Sequence, residues 1–410
     1  MVVEHMPLQP LPTRRPIRLF LLAILVLICG CSNTRPFIRA REPLVLEAIP
    51  RAENAPDAIT FFALGDWGTG RAKQQVVARG LNQVVQQIPN GRAVKPFVLG
   101  LGDNVYEHGL PQGWGNEETL RLLEGTFGKV YSDIMYEGKP VDFHIVPGNH
   151  DHSRKAGYGD VVQQETTAER IYQNWHFYPF APESDSGSND DENYRSLRAQ
   201  NIRQIALPQT IDVETAGQLD IFALDTEIML QLYADHDSTT LSKHWARLRQ
   251  LVGQSTARWK MIMGHHPIRS HGKHGGFRKA IWWVPPLTLV TLADKLFFKR
   301  LQDLDHTASR TFQEALSGFM QEHKIFFYLS GHEHNLQMLE IAPQYYQIVS
   351  GSAAKLSSVT HGSDTILSVG AFGFTRIDIV GDTLRIEFLE VNPVTGSANP
   401  AAAFRFHTSR

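Results

Sequence analysis

The sequence is poor in cysteine, in net charge and in long apolar runs. Its only two cysteines, Cys29 and Cys31, lie near the N-terminus of the 410 residues, so the rest of the chain cannot form an internal disulfide. The formal charge of −2 at pH 7 differs from the strongly basic balance of nucleic-acid-binding proteins. With 42% hydrophobic residues the chain can bury a large core. Composition therefore predicts a globular protein that relies on core burial and binds no nucleic acid.

The first thirty residues have the features of an export signal. Arg14, Arg15 and Arg18 precede an apolar run from Leu19 to Ile28, which is shorter than the roughly 20 residues that span a bilayer. A basic front followed by a short apolar stretch is typical of a secretory signal peptide. The arginine pair also permits a twin-arginine signal. We therefore expect the chain to leave the cytoplasm.

The letters "LICGC" at the end of this run resemble a bacterial lipobox, in which cleavage exposes a cysteine that carries a lipid. We expect residues 1–30 to be a signal peptide and Cys31 to be the mature N-terminus of an exported bacterial lipoprotein, in the outer membrane or periplasm. The alternative is a cleaved signal without lipid. Residues 31–57, with four prolines, are predicted to be a tether, and the protein is expected to be a monomer.

From residue 58 onward, short apolar runs typical of buried strands end in polar residues. The first run, Ile59 to Leu64, is followed by a stretch in which Val77, Leu81 and Val84 recur at helical spacing. This order predicts strand, loop and helix, and residues 58–395 are predicted to form the catalytic domain, with 396–410 as a C-terminal tail. Further runs of this kind lie in "PFVLGLGDN", "DFHIVPGNHDH", "LDIFALDTE", "WKMIMGHHP" and "KIFFYLSGHEHN".

Two regions interrupt this pattern. Residues 181–196, "APESDSGSNDDENYRS", are acidic and predict a solvated surface insertion, with calcium binding as the alternative. Residues 277–301 are rich in aromatic and aliphatic side chains and carry lysines and arginines at both ends. They predict a helical insertion packed on the core. The alternative is a cover over the functional site or an amphipathic patch that rests on lipid.

Oxygen and imidazole donors follow five of the apolar runs. Groups at the carboxyl ends of neighbouring strands converge on one rim of a sheet. Carboxylate, amide and imidazole ligands without thiolate suit Fe, Zn or Mn, and a shared carboxylate would hold two ions about 3.5 to 4 Å apart, as in hydrolases that act at phosphorus. The sequence therefore predicts a two-metal site among Asp66, Asp103, Tyr106, Asn149, His150, His265, His332 and His334.

The blocks "GDWG", "GDNVY", "GNHDH", "GHHP" and "GHEHNLQ" resemble the signature of the calcineurin-like metallophosphoesterases. The tyrosine in "GDNVY" makes them similar to the purple acid phosphatases, and to the small tartrate-resistant type in particular. The resemblance extends from about Ile59 to Glu390 and includes the softer match "SGSAAK". It implies an α/β fold, a four-layer α/β/β/α sandwich with two mixed β-sheets between helices.

The resemblance also implies a ligand set for each of two metals. A ferric ion would be held by Asp66, Asp103, Tyr106 and His334. A divalent ion, either Fe, Zn or Mn, would be held by Asp103, Asn149, His265 and His332, with Asp103 as the bridge. A phenolate is a hard anionic donor that suits iron(III). The alternative for Tyr106 is an aromatic ring packed beside an ordinary two-metal site.

Two more histidines match substrate-facing positions of the family. The resemblance implies that His150, next to Asn149, contacts the phosphate and protonates the leaving oxygen. His274, in "SHGKHG", matches the second such position, and His271 is its rival. His266 and His152 are expected to be structural.

The activity that the resemblance implies is hydrolysis of phosphomonoesters by in-line attack of metal-bound hydroxide. A phosphodiesterase acting on nucleotides or lipid headgroups is the first alternative. The second is an inactive surface lipoprotein that serves as a binding module.

Overall fold

The computed structural model describes residues 36–39, 55–112, 117–153, 155–157, 159–179, 201–275, 277, 301 and 303–408. All of them fall in the unit comprising Asn33–Phe277 and Lys299–Arg410. The predicted signal peptide with Cys31, most of the tether, the insertion at 181–196 and residues 278–300 of the second insertion lie outside the described residues.

The first strand of the predicted catalytic domain lies near the middle of a seven-stranded mixed sheet. In spatial order its strands are β17 (Ala398–His407), β16 (Thr383–Val391), β15 (Gly373–Val380), β2 (Ile59–Leu64), β3 (Phe97–Leu101), β6 (Asp142–Val146) and β7 (Trp175–Phe177). β2, β3, β6 and β7 are parallel, whereas β15, β16 and β17 pair antiparallel.

A second sheet has eight strands and is also mixed. Its spatial order is β1 (Phe37–Ile38), β14 (Thr365–Val369), β12 (Leu336–Ala342), β13 (Tyr345–Ser350), β11 (Phe327–Ser330), β10 (Trp259–Met263), β9 (Leu219–Ala223) and β8 (Gln209–Thr210). β9, β10, β11 and β13 are parallel. A separate hairpin joins β4 (Met135–Tyr136) to β5 (Lys139–Pro140).

Seven α-helices lie in the described residues: α1 (Ala72–Val85), α2 (Glu117–Leu123), α3 (Glu169–Ile171), α4 (Ile202–Ile205), α5 (Thr226–Ala234), α6 (Ser238–Gln254) and α7 (Thr307–Glu322). Glu124–Gly128 and Gln164–Ala168 form π-helical turns. Asp225 begins α5 by accepting a hydrogen bond from the Ile228 amide at 3.0 Å, a standard N-cap. Within the described residues, no helix has the length and hydropathy needed to cross a membrane.

Alternation along β2 explains how the layers form. Phe61 and Ala63 point to one face and join a core shared with Met261 and Leu329 of the second sheet. The neighbouring residues on β2 point to the other face, because side chains alternate along a strand, and pack with α1. Each fully buried phenylalanine contributes about 1.5–3 kcal/mol, so both faces of the sheet stabilise the fold.

The second sheet is covered on its outer face by helices. Phe222 and Tyr328 of this sheet pack with Leu248 of α6 and Phe312 and Leu316 of α7. The order of layers is therefore helix, sheet, sheet, helix. This confirms the predicted four-layer α/β/β/α sandwich with two mixed sheets.

Two predicted boundaries differ from the structure. Ala398–His407, predicted as part of a tail, forms the edge strand β17 and pairs with β16. The prediction of a tail is wrong there because the alternating residues Ala402 and Phe404 are buried between the sheets. Within the predicted tether, Phe37–Ile38 forms β1 against β14.

Candidate metal centre

All seven predicted metal ligands follow the carboxyl ends of parallel strands, three strands in the first sheet and two in the second. Asp66 follows β2, Asp103 and Tyr106 follow β3, and Asn149 follows β6. The histidines follow β10 and β11, with His265 after the first and His332 and His334 after the second. Because these strand ends meet at one edge of the sandwich, residues up to 268 positions apart along the sequence share one site (Asp66 and His334, 334 − 66 = 268).

Three of these residues share an unusual backbone conformation. Asp66, Asp103 and His332 have φ angles of 58°, 58° and 68°, in the left-handed region that non-glycine residues rarely adopt. Each directly follows a glycine at the end of a strand. Strained backbone of this kind occurs at functional sites, and here it accompanies the turn that directs each polar side chain to the shared edge.

Glycine is required at two of these turns because the strand ends are so close. A Cβ atom on Gly102, which has a φ of 86°, would lie 2.6 Å from Nδ1 of His265. A Cβ atom on Gly331 would lie 2.7 Å from the Leu101 carbonyl oxygen and 2.9 Å from Oδ2 of Asp66. Both separations are shorter than van der Waals contact, so a larger residue would displace the candidate ligands.

One group of donors surrounds the Tyr106 hydroxyl. The hydroxyl oxygen lies 2.7 Å from Oδ2 of Asp103 and 3.0 Å from Oδ1 of Asp66. Nε2 of His334 lies 3.5 Å from the same hydroxyl and 3.4 Å from Oδ1 of Asp66. Two carboxylates, a phenol and an imidazole thus converge, which is the donor set expected for the ferric ion.

A second group of donors surrounds the side-chain amide oxygen of Asn149. Oδ1 of Asn149 lies 3.0 Å from Nε2 of His265 and 3.0 Å from Nδ1 of His332. These two ring nitrogens are 3.2 Å apart. An amide oxygen and two imidazole nitrogens therefore point at one another, an arrangement that a cation would stabilise.

Asp103 lies between the two groups. Its Oδ2 accepts a hydrogen bond from Tyr106 in the first group, whereas its Oδ1 lies 3.5 Å from Nε2 of His265 in the second. The backbone amide of His150 donates to Oδ1 at 2.9 Å and fixes the carboxylate in this orientation. One oxygen of Asp103 faces each group, as a bridging ligand requires.

The acidic groups differ in how burial and neighbouring charge act on them. Burial raises the pKa of Asp66 to about 8, and the charge of Asp103 adds to the effect. Burial also acts to raise the pKa of Asp103, but the neighbouring charges of His265 and His150 outweigh it, so that its pKa lies below the ordinary value. Burial, with both carboxylates, raises the pKa of Tyr106 well above its ordinary value.

The buried imidazoles are held in the neutral form. Burial lowers the pKa of His334 to about 4, and it lowers the pKa of His332 and of His266 well below the ordinary value. Metal ions bind neutral imidazole, because the ring nitrogen must offer a lone pair. The three rings are therefore in the state that binds metal throughout the neutral range.

The residues present fit two metal ions. Within the described part of the chain, Oδ2 of Asp66 is buried and accepts no hydrogen bond, so this oxygen has a lone pair to offer a cation. Ligand atoms of Asp66, Asp103 and His265 lie within 4.8 Å of one another, as do those of His265, His266 and His332. The absence of sulfur ligands favours hard or borderline cations. The centre is suited to two metals.

The structure separates the two candidates for the second substrate-facing histidine. The ring centroid of His274 lies 4.2 Å from that of His332, so His274 is at the centre. His271 instead makes a close contact with Asp364, which is not among the donors of the centre. His150 is at the other side of the centre, with its ring 4.4 Å from the Tyr106 ring.

The histidines predicted to be structural have defined partners near the centre. Nε2 of His152 lies 2.7 Å from Oδ2 of Asp225, the residue that begins α5. Nδ1 of His266 lies 2.9 Å from the Thr226 hydroxyl. His266 nevertheless packs directly beside His332, with ring centroids 4.7 Å apart, so it belongs to the wall of the centre.

Sequence reasoning missed two buried acids that hold the loops. Asp151 accepts hydrogen bonds from the backbone amides of Asn104, Val105 and Gly148, at 3.1, 3.1 and 2.7 Å, and so ties the loop after β3 to the loop after β6. Glu333 lies between His332 and His334 and contacts the loop of His274. Both acids lie inside the motifs "GNHDH" and "GHEHNLQ", and this position is the signal that could have found them.

Lys355 was also missed, although it lies in the stretch "SGSAAK". Its Nζ atom lies 3.4 Å from the centroid of the Tyr106 ring and 3.1 Å from Oε2 of Glu107. A cation over an aromatic face is attracted to the ring. Lys355 thus places a positive charge at the edge of the centre.

The fold and the donor set resemble those of metal-dependent phosphoesterases, and family comparison agrees. The family described as calcineurin-like phosphoesterase matches residues 59–336, more than half of the chain. The chain belongs to this family.

Curated relatives connect it to one branch of that family. "Purple acid phosphatase 4" of Arabidopsis thaliana is 23% identical over 367 residues, 85% of this chain and 84% of the relative. "Tartrate-resistant acid phosphatase type 5" of Oryctolagus cuniculus is 25% identical over 369 residues, 84% of this chain and 91% of the relative. The resemblance to purple and tartrate-resistant acid phosphatases is confirmed.

Solved structures agree with the fold. A purple acid phosphatase from yellow lupin (Lupinus luteus) seeds has a TM-score of 0.52 and 13% identity, over 87% of this chain and 55% of that one. GAP50, described as the anchor in the inner membrane complex of Plasmodium, has a TM-score of 0.53 and 15% identity, over 86% of this chain and 90% of that one.

The close approach at Gly102 predicts that Gly102→Ala loses bound metal. A methyl group there would press on the His265 ring. Apart from this contact, an alanine in the left-handed backbone conformation costs about 1–2 kcal/mol of stability. Gly138→Ala is the matched control, because Gly138 has a φ of 74° but a methyl group on it would meet no atom within 4 Å. Metal content per chain after loading and gel filtration is the measurement.

Both variants are expected to lose free energy of unfolding from backbone strain, measured by urea denaturation, and Gly102→Ala is expected to lose more because of its contact with His265. Gly102→Ala alone is expected to fall clearly below the wild-type metal content. Wild-type metal content in Gly102→Ala would contradict the close packing of β3 against His265.

Proposed function

We propose that this protein is an acid phosphatase-like phosphomonoesterase with a binuclear metal centre. The observation that carries the proposal is Asp103, whose two oxygens face separate groups of donors. A bridging carboxylate is what two metals acting on one phosphoryl group require. Family membership and the named relatives support the same class of reaction.

The proposed assignment of metals follows the two groups. Asp66, Asp103, Tyr106 and His334 would hold a ferric ion, and Asp103, Asn149, His265 and His332 would hold a divalent Fe, Zn or Mn ion. Two such ions, when bound, activate a water molecule and offset the charge on the phosphoryl oxygens. The hard phenol oxygen of Tyr106 supports the choice of iron(III) for the first position.

Two histidines supply protons and charge to the substrate. Nδ1 of His150 lies 2.6 Å from the Glu107 carbonyl oxygen. Because a carbonyl only accepts, Nδ1 carries the proton of that hydrogen bond, and Nε2 is the nitrogen available to a substrate. His274 lies across the centre, against His332. Either ring can protonate the departing oxygen when it is the imidazolium, with a second proton on Nε2, as general acid catalysis requires.

The activity test uses p-nitrophenyl phosphate and bis(p-nitrophenyl) phosphate. We expect metal-loaded wild type to prefer the monoester, and we expect removal of the metals with a chelator to abolish turnover. Asp103→Asn, which removes the charge of the bridging carboxylate, is expected to lower kcat/KM on the monoester at least about 100-fold. Asp133→Asn, an exposed aspartate outside the centre, is the control and should keep wild-type activity.

A preference for the diester would replace this proposal with the phosphodiesterase alternative, in which nucleotides or lipid headgroups are the substrates. Unchanged activity of Asp103→Asn would contradict the role of the bridge.

The iron assignment predicts a visible absorption band that depends on Tyr106. A phenolate bound to iron(III) absorbs visible light, so Tyr106→Phe is expected to lose the band while metal analysis still finds iron. Tyr136→Phe is the matched control, because the Tyr136 hydroxyl donates to the Pro89 carbonyl at 2.7 Å and is not among the donors of the centre. A colourless wild type with two Mn or Zn ions per chain would contradict the iron assignment and leave Tyr106 as a packing residue.

The binding-module alternative gains no support from the donor groups. The fold also occurs in a protein described as an anchor, GAP50, so the fold by itself does not separate catalysis from scaffolding. The distinction depends on the donors, and every predicted ligand position in this chain holds a side chain that can bind metal. Full metal loading without turnover on either ester would favour the binding module.

Export and lipid anchoring are part of the proposal and rest on the sequence, because residues 1–35 lie outside the described residues. We propose a bacterial lipoprotein of the outer membrane or periplasm, with the lipid on Cys31. Wild type expressed in a bacterial host is expected to incorporate radioactive palmitate and to fractionate with membranes. Cys31→Ser should lose the label, and Cys29→Ser, the matched control, should keep it. Label retained in Cys31→Ser would contradict the anchor.

A further inference from the structure

The loop after β10 brings His274 back to the metal centre. This loop, residues 268–275, begins three residues beyond His265 and ends with the His274 ring 4.2 Å from the His332 ring, at an interplanar angle of 39°. A surface loop of this kind needs contacts that fix its conformation, because its residues belong to no helix or strand. Two acidic residues far apart in sequence provide them.

Glu333 fixes the backbone of this loop. Its side chain is fully buried, and Oε1 accepts three hydrogen bonds: from the Ser270 hydroxyl at 2.8 Å, from the His274 amide at 2.8 Å and from the Gly275 amide at 3.1 Å. A carboxylate that accepts several hydrogen bonds is a strong anchor. Since Glu333 lies between His332 and His334, it couples the position of His274 directly to the metal ligands.

Asp303 holds the ring of His274. Its Oδ1 lies 3.3 Å from Nδ1 of His274, and the next residue, Leu304, donates its backbone amide to the His274 carbonyl at 3.1 Å. A carboxylate oxygen accepts the Nδ1 proton, which leaves Nε2 as the nitrogen that can act on a substrate. The side chains of His274 and Asp303 are 15% and 30% exposed, so the contact is partly buried.

We propose that Asp303 and Glu333 are positioning residues that hold the His274 imidazole ready to protonate the leaving-group oxygen of a phosphomonoester. The inference rests on the proposed function. In this step His274 acts as the imidazolium, with one proton on Nδ1 held by Asp303 and one on Nε2. The bond from phosphorus to the leaving oxygen breaks, its electron pair remains on that oxygen, and the oxygen takes the Nε2 proton, which leaves a neutral ring protonated on Nδ1. The attacking water forms the new bond to phosphorus, and the proton that it releases returns His274 to its starting state through solvent.

The test compares substrates that differ in their need for a proton. p-Nitrophenolate departs almost without protonation, whereas an alkoxide such as that from an alkyl phosphate needs a proton. Asp303→Ala is expected to lower kcat on an alkyl phosphate about 10- to 100-fold, within the range of general acid catalysis, and to lower kcat on p-nitrophenyl phosphate by less than about 3-fold. KM should change little, because the ring orients a proton and does not hold the substrate.

Two further variants define what the Asp303 side chain contributes. Asp303→Asn keeps an acceptor oxygen for Nδ1 and is expected to recover part of the loss. Asp305→Ala is the matched control, because it removes an exposed carboxylate two residues away, and it should behave as wild type on both esters.

A double variant tests whether Asp303 acts through His274. If it does, Asp303→Ala combined with His274→Ala is expected to be no slower than His274→Ala alone. Glu333→Gln keeps an acceptor oxygen at the same position and is expected to retain activity, while Glu333→Ala should resemble His274→Ala in its selective loss on the alkyl ester. Metal content is measured for every variant.

The outcomes separate this inference from the function on which it rests. Wild type that hydrolyses neither ester would overturn both. Active wild type would leave the function in place and overturn the inference alone under any of three results: an equal loss on both esters in Asp303→Ala, losses that multiply in the double variant, or loss of metal from Asp303→Ala.

Discussion

The close approach of the two sheets at one edge is the constraint on which the centre depends. A Cβ atom on Gly65 would lie 3.0 Å from the Gly331 Cα atom, so the ends of β2 and β11, from different sheets, are in contact. The Gly331 amide donates to the His265 carbonyl at 3.0 Å, which joins β11 to β10 at the same edge. Donors from both sheets can meet only because glycine occupies these turns.

The same approach creates an electrostatic problem that cations would resolve. Two carboxylates and a phenol lie in a region shielded from water, and burial raises the pKa of Asp66 and of Tyr106. Burying charge without a partner is costly. Bound metals supply positive charge to these oxygens, and the neutral rings of His332 and His334, whose pKa values are lowered by burial, add ligands without adding charge. Acidic groups with raised pKa values beside imidazoles with lowered pKa values are typical of functional sites.

The strands that carry the metal ligands could be predicted from sequence, and the edge strand β17 could not. β2, β3, β6, β10 and β11 are buried on both faces and therefore show as continuous apolar runs. β17, by contrast, contains Pro400 and has several exposed residues, since it lies at an edge and pairs on one side. Its alternating pattern is weak, which is why a tail was predicted in place of a strand.

The residues of the metal centre also divide into those that could be predicted from the sequence and those that could not. Asp66, Asp103 and His332 could be predicted because each follows a glycine at the end of an apolar run. Asp303 could not, because its contact with His274 spans 29 positions across an insertion that shows no motif.

Distant contacts of this kind nevertheless determine which nitrogen of each histidine faces the centre. Nδ1 of His265 lies 2.8 Å from the Leu101 carbonyl oxygen, and Nδ1 of His150 lies 2.6 Å from that of Glu107. A carbonyl accepts only, so both rings carry their proton on Nδ1 and direct Nε2 elsewhere. His332 is reversed, with Nδ1 towards Asn149, and it is the one histidine of the three with a left-handed backbone. For His265 and His150, ring orientation is thus set by backbone carbonyl oxygens outside the donor groups, which fix the tautomer.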